Sequence, residues 1–313
     1  MPVQTKASAA TAHAKRVAQR YDGITGVDFG FIYKAGKRTT KRGIRFHVAM
    51  KRASEQLSDV ERLPDELHGF ECDVLQARYR PNDGTAAQVS RTLLPGISIG
   101  NLPRRTTGTL GMMVLDSHTG DPCVLSNWHV LAGSTSAASG EEIIQPGPAS
   151  LGPSDPANKV AELLRWTNLS HGYDAALGRI VGGIAFSNHD GDANVELIST
   201  VEPTLGMKLV KSGLSSRFTH AVVDGIDGSY PIDYSDYGDA TRWMDGVHLV
   251  SDPSSKDDEI TLDGDSGSIW FQQDSGHTVA LNFSGEDGIG PLAEYALAHR
   301  LSRVLELLAA RLP

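Results

Sequence analysis

The chain has 313 residues, of which 40% are hydrophobic and 21% charged, a composition typical of a globular protein with one large or two ordinary domains. Its apolar runs never approach the roughly 18 to 20 residues of a membrane-spanning helix, and its first twenty residues lack a signal-peptide core. The two cysteines, Cys72 and Cys123, are too few for a disulfide scaffold or paired zinc-ligand motifs. We therefore expect a cytoplasmic protein without membrane association.

Charge is distributed unevenly along the chain. Residues 1–95 contain 16 Lys and Arg against 10 Asp and Glu, whereas residues 96–313 contain 13 against 28. A basic N-terminal region could bind nucleic acid or an acidic partner. Its basic side chains are Lys34, Lys37, Arg38, Lys41, Arg42, Arg45, Lys51 and Arg52. Because no nucleic-acid motif accompanies them, a solvated face is the favoured interpretation.

The first 80 residues are predicted to form a small α+β module. An alanine-rich helix is expected over 7–21, where the following glycines end it. Strand-like patterns at 26–33 and 43–51 predict a hairpin that turns through 34–42. A brief helix or turn at 58–63 and a strand at 70–78 complete the module.

The stretch 81–100 is polar and then punctuated by Gly and Pro, and it is the predicted linker to a domain over 101–313. Beyond it, short apolar runs alternate with clusters of Gly, Pro, Asp and Ser. These runs are 108–115, 123–126, 143–145, 160–166, 175–180, 207–211, 247–250, 268–271 and 279–283. Such a pattern indicates an all-β barrel or sandwich and excludes a doubly wound sheet. Apolar residues at helical spacing over 293–312 predict a closing amphipathic helix.

An aspartate-rich segment follows the middle of this region. Its members are Asp224, Asp227, Asp233, Asp236 and Asp239. They lack the spacing of an EF-hand, so a solvated loop is favoured over a calcium site. We expect neither a metal nor a cofactor.

The run Gly264, Asp265, Ser266, Gly267 and Ser268 presents a serine on a glycine-rich turn. Glycines allow a tight backbone that exposes the hydroxyl, and the amides of Gly264 and Ser266 could point at one oxyanion. Gly, Asp and Ser are also ordinary turn residues, so this run alone is a weak signal.

A serine nucleophile needs a base and a carboxylate that orients the base. His129 follows an apolar strand, and Asp174 lies at the start of another. The order is His129, Asp174, Ser266, with separations of 45 and 92 residues. These three residues are the candidate catalytic triad.

The three motifs SNWHV, YDAAL and GDSGS resemble, in order and spacing, those of the chymotrypsin-like (trypsin-fold) serine peptidases over residues of about 96–290. The order excludes α/β-hydrolases and subtilisin-like enzymes. The sequence is also similar to bacterial trypsin-like peptidases related to the plant narrow-leaf protein, through PGISIG at 95–100, GTLG at 108–111, VKSG at 210–213 and LNFSG at 281–285. The resemblance implies a double β-barrel and a serine endopeptidase that acts on proteins or peptides.

The resemblance also implies roles for further residues. The amides of Gly264 and Ser266 would form the oxyanion hole, and the backbone of Phe283, Ser284 and Gly285 would pair with substrate. Ile260 would lie at the base of the specificity pocket, which favours an apolar or small substrate side chain. The alternative stays open that the acidic residues Glu259, Asp263 and Glu286 select a basic side chain.

The sequence departs from the family at three places. Ser268 replaces the last glycine of the motif, the flanking disulfide cysteines are absent, and Asp265 lacks an evident activation partner. The competing hypothesis is a latent peptidase-fold scaffold whose basic N-terminal region recruits an acidic partner. Nucleic-acid binding through residues 34–52 is a third and less favoured hypothesis, and the oligomeric state stays open.

Overall fold

We describe the protein from a computed structural model. It describes residues 3–34, 37–52, 57, 62–81, 90, 92–150, 158–255, 257, 259–286 and 294–313. Most of the helix or turn predicted at 58–63 and much of the linker predicted at 81–100 lie outside these ranges. Within the described part of the chain, no helix is long and apolar enough to cross a membrane.

The N-terminal elements follow the predicted order. Helix α1 spans Val3–Ala18, and strands β1 and β2 span Ile24–Lys34 and Lys37–Val48. These strands form the predicted antiparallel hairpin, but their pairing extends to its tip, so the turn is shorter than 34–42. Strands β3 (Glu66–Leu67) and β4 (Phe70–Gln76) follow, and β4 lies parallel to β2.

The rest of the described chain consists mainly of short strands, as the sequence predicts. In the first half they are β5 (Tyr79–Pro81), β6 (Thr92–Leu93), β7 (Ser98–Asn101), β8 (Gly108–Thr109), β9 (Met112–Asp116), β10 (Pro122–Ser126), β11 (Glu142–Ile144), β12 (Lys159–Trp166) and β13 (Ala176–Ile180). In the second half they are β14 (Ala185–Phe186), β15 (His189–Asp190), β16 (Val195–Glu196), β17 (Ser199–Thr200), β18 (Lys208–Gly213), β19 (Arg217–Ile232), β20 (Arg242–Ser251), β21 (Ile269–Phe271), β22 (His277–Glu286), β23 (Tyr295–Arg300) and β24 (Ala310–Arg311). Helices α2 (Trp128–Leu131) and α3 (Leu301–Leu307) lie between strands.

Two sheets form the body of the molecule, and strand pairing closes the second of them into a ring. In the first, β9 pairs with β10, and the order continues through β13, β12, β11 and β7 to β8, which directly precedes β9 in the chain. In the second, the order is β18, β21, β22, β23, β20 and β19, and β19 pairs with β18 to close the ring. The protein is therefore mostly β, with two barrels as predicted.

The N-terminal hairpin extends the sheet of the second barrel. β1 pairs antiparallel with the far half of β19, so β1, β2, β4 and β3 continue the same sheet. One face of α1 is made of small buried residues spaced three or four apart, and these pack into a core shared with Trp270 of the second barrel. They are Ala7, Ala10, Ala14 and Ala18. The domain boundary near residues 81–100 stays a prediction.

The C-terminal helix is present but shorter than predicted. Residues Tyr295–Arg300 form β23, which pairs with both β20 and β22, and helix α3 begins only at Leu301. Ala296, Leu297 and Ala298 are all buried. Because both faces of this strand are covered, its continuous apolar run mimics a helical repeat.

The basic side chains of the predicted solvated face are exposed except for Arg45, and within the aspartate-rich segment Asp224 is buried. Arg45, predicted on the basic solvated face, is fully buried and forms a bidentate pair with Asp28, with both nitrogen–oxygen distances at 2.6 Å. It also bonds Asp224, which lies buried in the long strand β19 and not in a loop. One guanidinium shared by two carboxylates leaves one negative charge, and Arg38 Nη1, 3.8 Å from Asp224 Oδ1, supplies a second cation that makes this burial tolerable. No group of three or more His, Cys, Asp or Glu among the described residues is placed to hold a metal ion.

Candidate active site

His129 lies on the short helix α2 at the rim of the first barrel. Strand β10 ends at Ser126, Asn127 has an extended backbone, and the helix begins at Trp128. The side-chain amide of Asn127 donates to the main-chain carbonyl of Asp174 at 2.7 Å. This bond ties the start of the helix to the chain that enters β13. The buried His129 ring therefore faces Asp174 from a fixed backbone.

The carboxylate of Asp174 holds His129 at two points. Oδ2 accepts a hydrogen bond from His129 Nδ1 at 2.5 Å, and Oδ1 accepts the His129 main-chain N–H at 3.1 Å. Because an ionised carboxylate only accepts hydrogen bonds, Nδ1 carries the proton and Nε2 is the basic nitrogen. Tyr234 donates its hydroxyl to Oδ2 at 2.8 Å. Burial alone would raise the pKa of Asp174, but the interactions with His129 and Tyr234 lower this pKa below its ordinary value.

His299 supports the main chain of Asp174 from behind. The Asp174 N–H donates to His299 Nε2 at 3.0 Å, and His299 Nδ1 donates to the main-chain carbonyl of Asp245 at 2.6 Å. These bonds require a neutral ring with its proton on Nδ1. Burial lowers the pKa of His299 to about 4, so the ring stays neutral near pH 7. Neither His299 nor Tyr234 was predicted, since neither lies in a recognisable motif.

The turn around Ser266 depends on glycine. Gly264 has a φ of 104° and Gly267 a φ of 96°, which lie in a region of backbone conformation that residues other than glycine rarely adopt. A β-carbon at Gly267 would lie 2.0 Å from Ser126 Oγ and 2.3 Å from the main-chain oxygen of Thr109. A larger residue is therefore excluded by both backbone strain and space. The glycine-rich turn predicted from the sequence has this structural basis.

The structure brings the Ser266 turn next to the helix that carries His129. The N–H of Thr109 on β8 donates to the Ser266 carbonyl at 2.8 Å. A β-carbon built on the adjacent Gly108 would lie 2.5 Å from a Val130 methyl group and 2.8 Å from the Ser266 carbonyl oxygen. The residue after His129 and the main chain of Ser266 therefore contact the same point on β8. All three predicted triad residues lie at this junction between the barrels.

Asp265, which lacked a partner in the sequence, is held by Lys211. Both side chains are fully buried, and Lys211 Nζ lies 2.9 Å from Asp265 Oδ2. The carboxylate also accepts main-chain N–H groups of Leu262 at 2.9 Å and of Ser215 at 2.8 Å. Ser268, the departure from the family motif, donates its hydroxyl to the Asp265 carbonyl at 2.7 Å. The turn is thus fixed from inside the fold.

The electrostatics of this second pair follow from its burial. Burial would raise the pKa of Asp265, but Lys211 and the surrounding donors keep it below its ordinary value. Burial lowers the pKa of Lys211, an effect that the charge of Asp265 opposes. A lysine inside the apolar run of β18, within the VKSG segment, was the sequence signal that could have identified this partner.

Ile260, the residue predicted at the base of the specificity pocket, is completely buried. Its main-chain carbonyl accepts the hydroxyl of Thr219 at 3.0 Å, and its side chain belongs to the core that contains Trp270 and Val279. An apolar side chain at this position is therefore part of the barrel interior.

Two of the acidic residues considered for the pocket, Glu259 and Glu286, lie near Glu294, which was not identified from the sequence. Glu259 and Glu286 both interact with Glu294. Burial, reinforced by hydrogen bonds and by the negative charge of these neighbours, raises the pKa of Glu294 to about 9. Burial likewise raises the pKa of Glu286. The third candidate, Asp263, uses its main-chain carbonyl to accept the Ser215 hydroxyl.

The predicted substrate strand is the C-terminal part of β22. The Phe283 side chain is buried and stacks on His299 with ring centroids 3.9 Å apart. Ser284 and Gly285 pair with β5, where they lie opposite Pro81 and Arg80. The edge expected to bind a peptide therefore carries a strand of the same chain.

Sequence and structure comparisons give different results. No family model and no curated protein matches the chain in sequence. Among solved structures, a glutamic-acid-specific serine protease, described as using a histidine triad in substrate binding, matches with 16% identity and a TM-score of 0.51. This match covers 71% of the chain and all of the protease.

Two further solved structures are protease A of Thermobifida fusca and a chymotrypsin of Cellulomonas bogoriensis. Each has 13% identity and a TM-score of 0.49, over 71% of this chain and 98% of the other. The match to the glutamic-acid-specific protease, together with the two barrels, shows that the fold resembles that of bacterial chymotrypsin-like serine proteases. The fold predicted from the sequence motifs is thereby confirmed.

Proposed function

We propose that the protein is a serine endopeptidase that hydrolyses peptide bonds through an acyl-enzyme. The main support is the buried hydrogen bond between His129 and Asp174, which fixes the histidine tautomer beside the Ser266 turn. Ser266 Oγ attacks the scissile carbonyl while His129 Nε2 takes its proton. His129 then gives that proton to the leaving amine, and Asp174 stabilises the charged ring. Water releases the acyl group by the same steps.

The main-chain N–H groups of Gly264 and Ser266 would stabilise the oxyanion. One such donor typically contributes about 3 to 4 kcal/mol to lowering the barrier. The buried Lys211 supports this role because it holds Asp265 between the two donors. In secreted peptidases of the family that the sequence resembles, cleavage frees an N-terminus that pairs with the aspartate before the serine. Here Lys211 of strand β18 supplies the cation for Asp265, so the turn does not need such an N-terminus.

The substrate is a protein or peptide in this proposal, and two cleavage preferences remain in competition. The resemblance assigns Ile260 to the base of the pocket and so favours an apolar or small side chain, whereas the carboxyl groups of Glu259 and Glu286 favour a basic one. Cleavage-site profiling on a peptide library, with the Ser266→Ala variant as background, distinguishes them. Enrichment of Lys or Arg before the cleaved bond would support the acidic residues.

A fluorophosphonate probe tests the nucleophile directly. We expect the wild-type protein to be labelled at Ser266 and Ser266→Ala to be unlabelled. Ser302→Ala is the matched control, since Ser302 lies on α3 and bonds the distant Glu202. It should be labelled like the wild type. Labelling that survives Ser266→Ala would contradict the proposal.

The scaffold hypothesis has less support from the charges. Arg45 is buried, and Lys34 and Lys41 both lie near Glu71, at 2.5 and 3.7 Å. The basic region is thus partly neutralised within the chain. Salt-sensitive binding of poly-glutamate by a wild-type protein that neither reacts with the probe nor cleaves peptides would favour the scaffold.

A further inference from the structure

We propose that strand β5 (Tyr79–Pro81) is an autoinhibitory strand that occupies the peptide-binding edge of β22, so that a substrate must displace it. This inference rests on the proposed peptidase function. It concerns the state in which β5 occupies the substrate position of the same chain.

The position of β5 on β22 is the first observation. One edge of β22 pairs with β23. The other edge pairs first with β21 and then contacts the nucleophile turn, where Gly267 N–H donates to the Asn282 carbonyl at 2.9 Å and Asn282 N–H donates to the Ser268 carbonyl at 2.9 Å. Immediately beyond, Ser284–Glu286 pair with β5. Because a strand has only two edges, a substrate strand cannot pair here while β5 is bound.

The direction of β5 is the second observation. It runs antiparallel to β22, with Tyr79 opposite Glu286 and Pro81 opposite Ser284. The chain from Tyr79 to Pro81 therefore advances toward Asn282 and the nucleophile turn. An extended peptide that adds to this edge in the antiparallel sense would take the same path. β5 thus mimics the backbone of a bound peptide.

The segment before β5 is fastened to the N-terminal hairpin. β4 ends at Gln76, and Ala77 is buried, with its N–H donating to the Val48 carbonyl at 3.0 Å. The Ala77 carbonyl accepts the hydroxyl of Thr25 at 2.6 Å. Arg78 is then the last residue before the strand. Since only two residues separate β4 from β5, the N-terminal hairpin fixes where β5 meets the edge of β22.

The side chain of Tyr79 anchors β5 itself. Its hydroxyl bonds His47 Nδ1 at 2.6 Å, and its ring packs edge-on against Tyr230 with centroids 5.3 Å apart. Tyr230 in turn donates to Asp28 at 2.9 Å, and Asp28 also pairs with Arg45. Tyr79 is therefore connected to the buried network that joins the N-terminal hairpin to the second barrel. Through this anchor, the N-terminal hairpin holds β5 on the peptide-binding edge of β22.

Closure of this kind reduces the apparent activity to the intrinsic activity multiplied by the fraction of molecules in which β5 is displaced. A change that weakens the anchor should raise this fraction without altering the nucleophile. Tyr79→Phe removes only the hydroxyl bonded to His47 and should raise kcat/KM for peptides about 5-fold. Tyr79→Ala also removes the ring packing and should raise it further.

The matched control is Tyr33→Phe. Tyr33 donates its hydroxyl at 3.2 Å to Asp224, which also bonds Arg45, but it lies on β1 and not on β5. This variant should leave peptide hydrolysis unchanged. The measurements are kcat/KM on a diverse fluorogenic peptide library, fluorophosphonate labelling of Ser266, and amide hydrogen exchange at residues 79–80 and 284–286. Thermal melting confirms that each variant is folded.

Higher peptide hydrolysis in both Tyr79 variants, with faster amide exchange at residues 79–80 and unchanged labelling, would support the proposal. Folded Tyr79 variants that are labelled like the wild type but hydrolyse peptides no faster would overturn it and leave the peptidase function standing. If Tyr79→Ala does not fold, Tyr79→Phe carries the test alone. Absence of labelling in every protein would overturn the peptidase function and this inference together.

Discussion

Two buried aspartates lie on either side of the junction between the barrels and differ in their partners. Asp174 bonds His129 Nδ1, and in the proposed reaction the other ring nitrogen, Nε2, exchanges protons with Ser266. Asp265 forms a buried ion pair with Lys211, which takes no part in the proposed proton transfers. Both carboxyl groups have a pKa below the ordinary value despite complete burial. The partner decides whether a buried carboxylate controls a proton or fixes a loop.

A third carboxyl group shows what happens when the neighbours are also acidic. Glu294 interacts with Glu259 and Glu286, and its pKa rises to about 9. Burial favours the neutral form of an acid unless a cation or several donors compensate. Lys211 compensates Asp265, whereas Glu294 keeps its proton. The same side-chain chemistry therefore gives three different outcomes within one fold.

Among the variants that test this comparison, Asp174→Asn should have the largest effect, a loss of catalytic rate. The amide can present N–H to His129 and favour the wrong tautomer, so we expect kcat to fall by about 10⁴-fold with the fold intact. The measurement is peptide hydrolysis at saturating substrate, normalised to active protein. Asp192→Asn, at an exposed position, is the control and should behave like the wild type. A decrease smaller than 10-fold would mean that Asp174 does not orient the base.

Lys211→Met should mainly affect stability. It leaves the charge of Asp265 buried without its cation, and loss of one member of a buried pair typically costs about 3 to 5 kcal/mol. We expect a correspondingly lower free energy of unfolding in urea, together with slower fluorophosphonate labelling, because the Gly264 and Ser266 donors lose their support. The double variant Lys211→Met, Asp265→Asn should regain part of the stability. A single variant as stable as the wild type would show that Asp265 is held by its main-chain donors alone.

The sequence predicted the residues that lie in local motifs but not those that support them. His129, Asp174 and Ser266 could be found because each lies in a distinctive short segment, and their order is informative. Their supporting residues come from distant segments: Lys211 is 54 residues from Asp265, and His299 is 125 residues from Asp174. Such contacts depend on tertiary structure, which a single sequence does not reveal.

The fold shows the same division. Short apolar runs between turn residues predicted most strands beyond residue 100, because their spacing is local. The long strand Arg217–Ile232 was missed, since its aspartates and glycines resemble a loop and Asp224 becomes buried only by pairing with Arg45. Burial of both faces of Tyr295–Arg300 produced the opposite error, a predicted helix in place of a strand.

His299→Leu should have a smaller effect on catalysis than Asp174→Asn. It removes the acceptor for the Asp174 N–H, and a buried donor left without its bond costs about 1 to 3 kcal/mol. We expect kcat to fall about 10-fold with KM nearly unchanged, because His299 acts through Asp174 and does not touch substrate. His299→Gln retains an acceptor and should recover part of the rate. Equal rates for the Leu variant and the wild type would assign His299 a packing role only.

The pH dependence of stability provides a second readout for His299. Its pKa is about 4 in the folded protein against an ordinary value of 6.5, so the unfolded chain binds more protons between these values. The wild type should therefore lose stability as the pH falls through this window. His299→Leu should lose less over the same range in urea unfolding. Parallel curves for the two proteins would contradict a neutral, buried His299.

Glu294→Gln should have the smallest effect. It tests a pH dependence of stability that is opposite in direction to that of His299. Folded Glu294 keeps its proton up to about pH 9, whereas the unfolded chain releases it near pH 4.5, so the folded state binds the extra proton between these values. Stability should fall as the pH rises through that window in the wild type. Gln does not titrate, so the variant should show a flatter decline in urea unfolding from pH 5 to pH 9. The exposed Glu196→Gln is the control and should follow the wild type. If Glu294→Gln declined as steeply as the wild type, Glu294 would not keep its proton in the folded protein, and the contrast with Asp265 in protonation would be wrong.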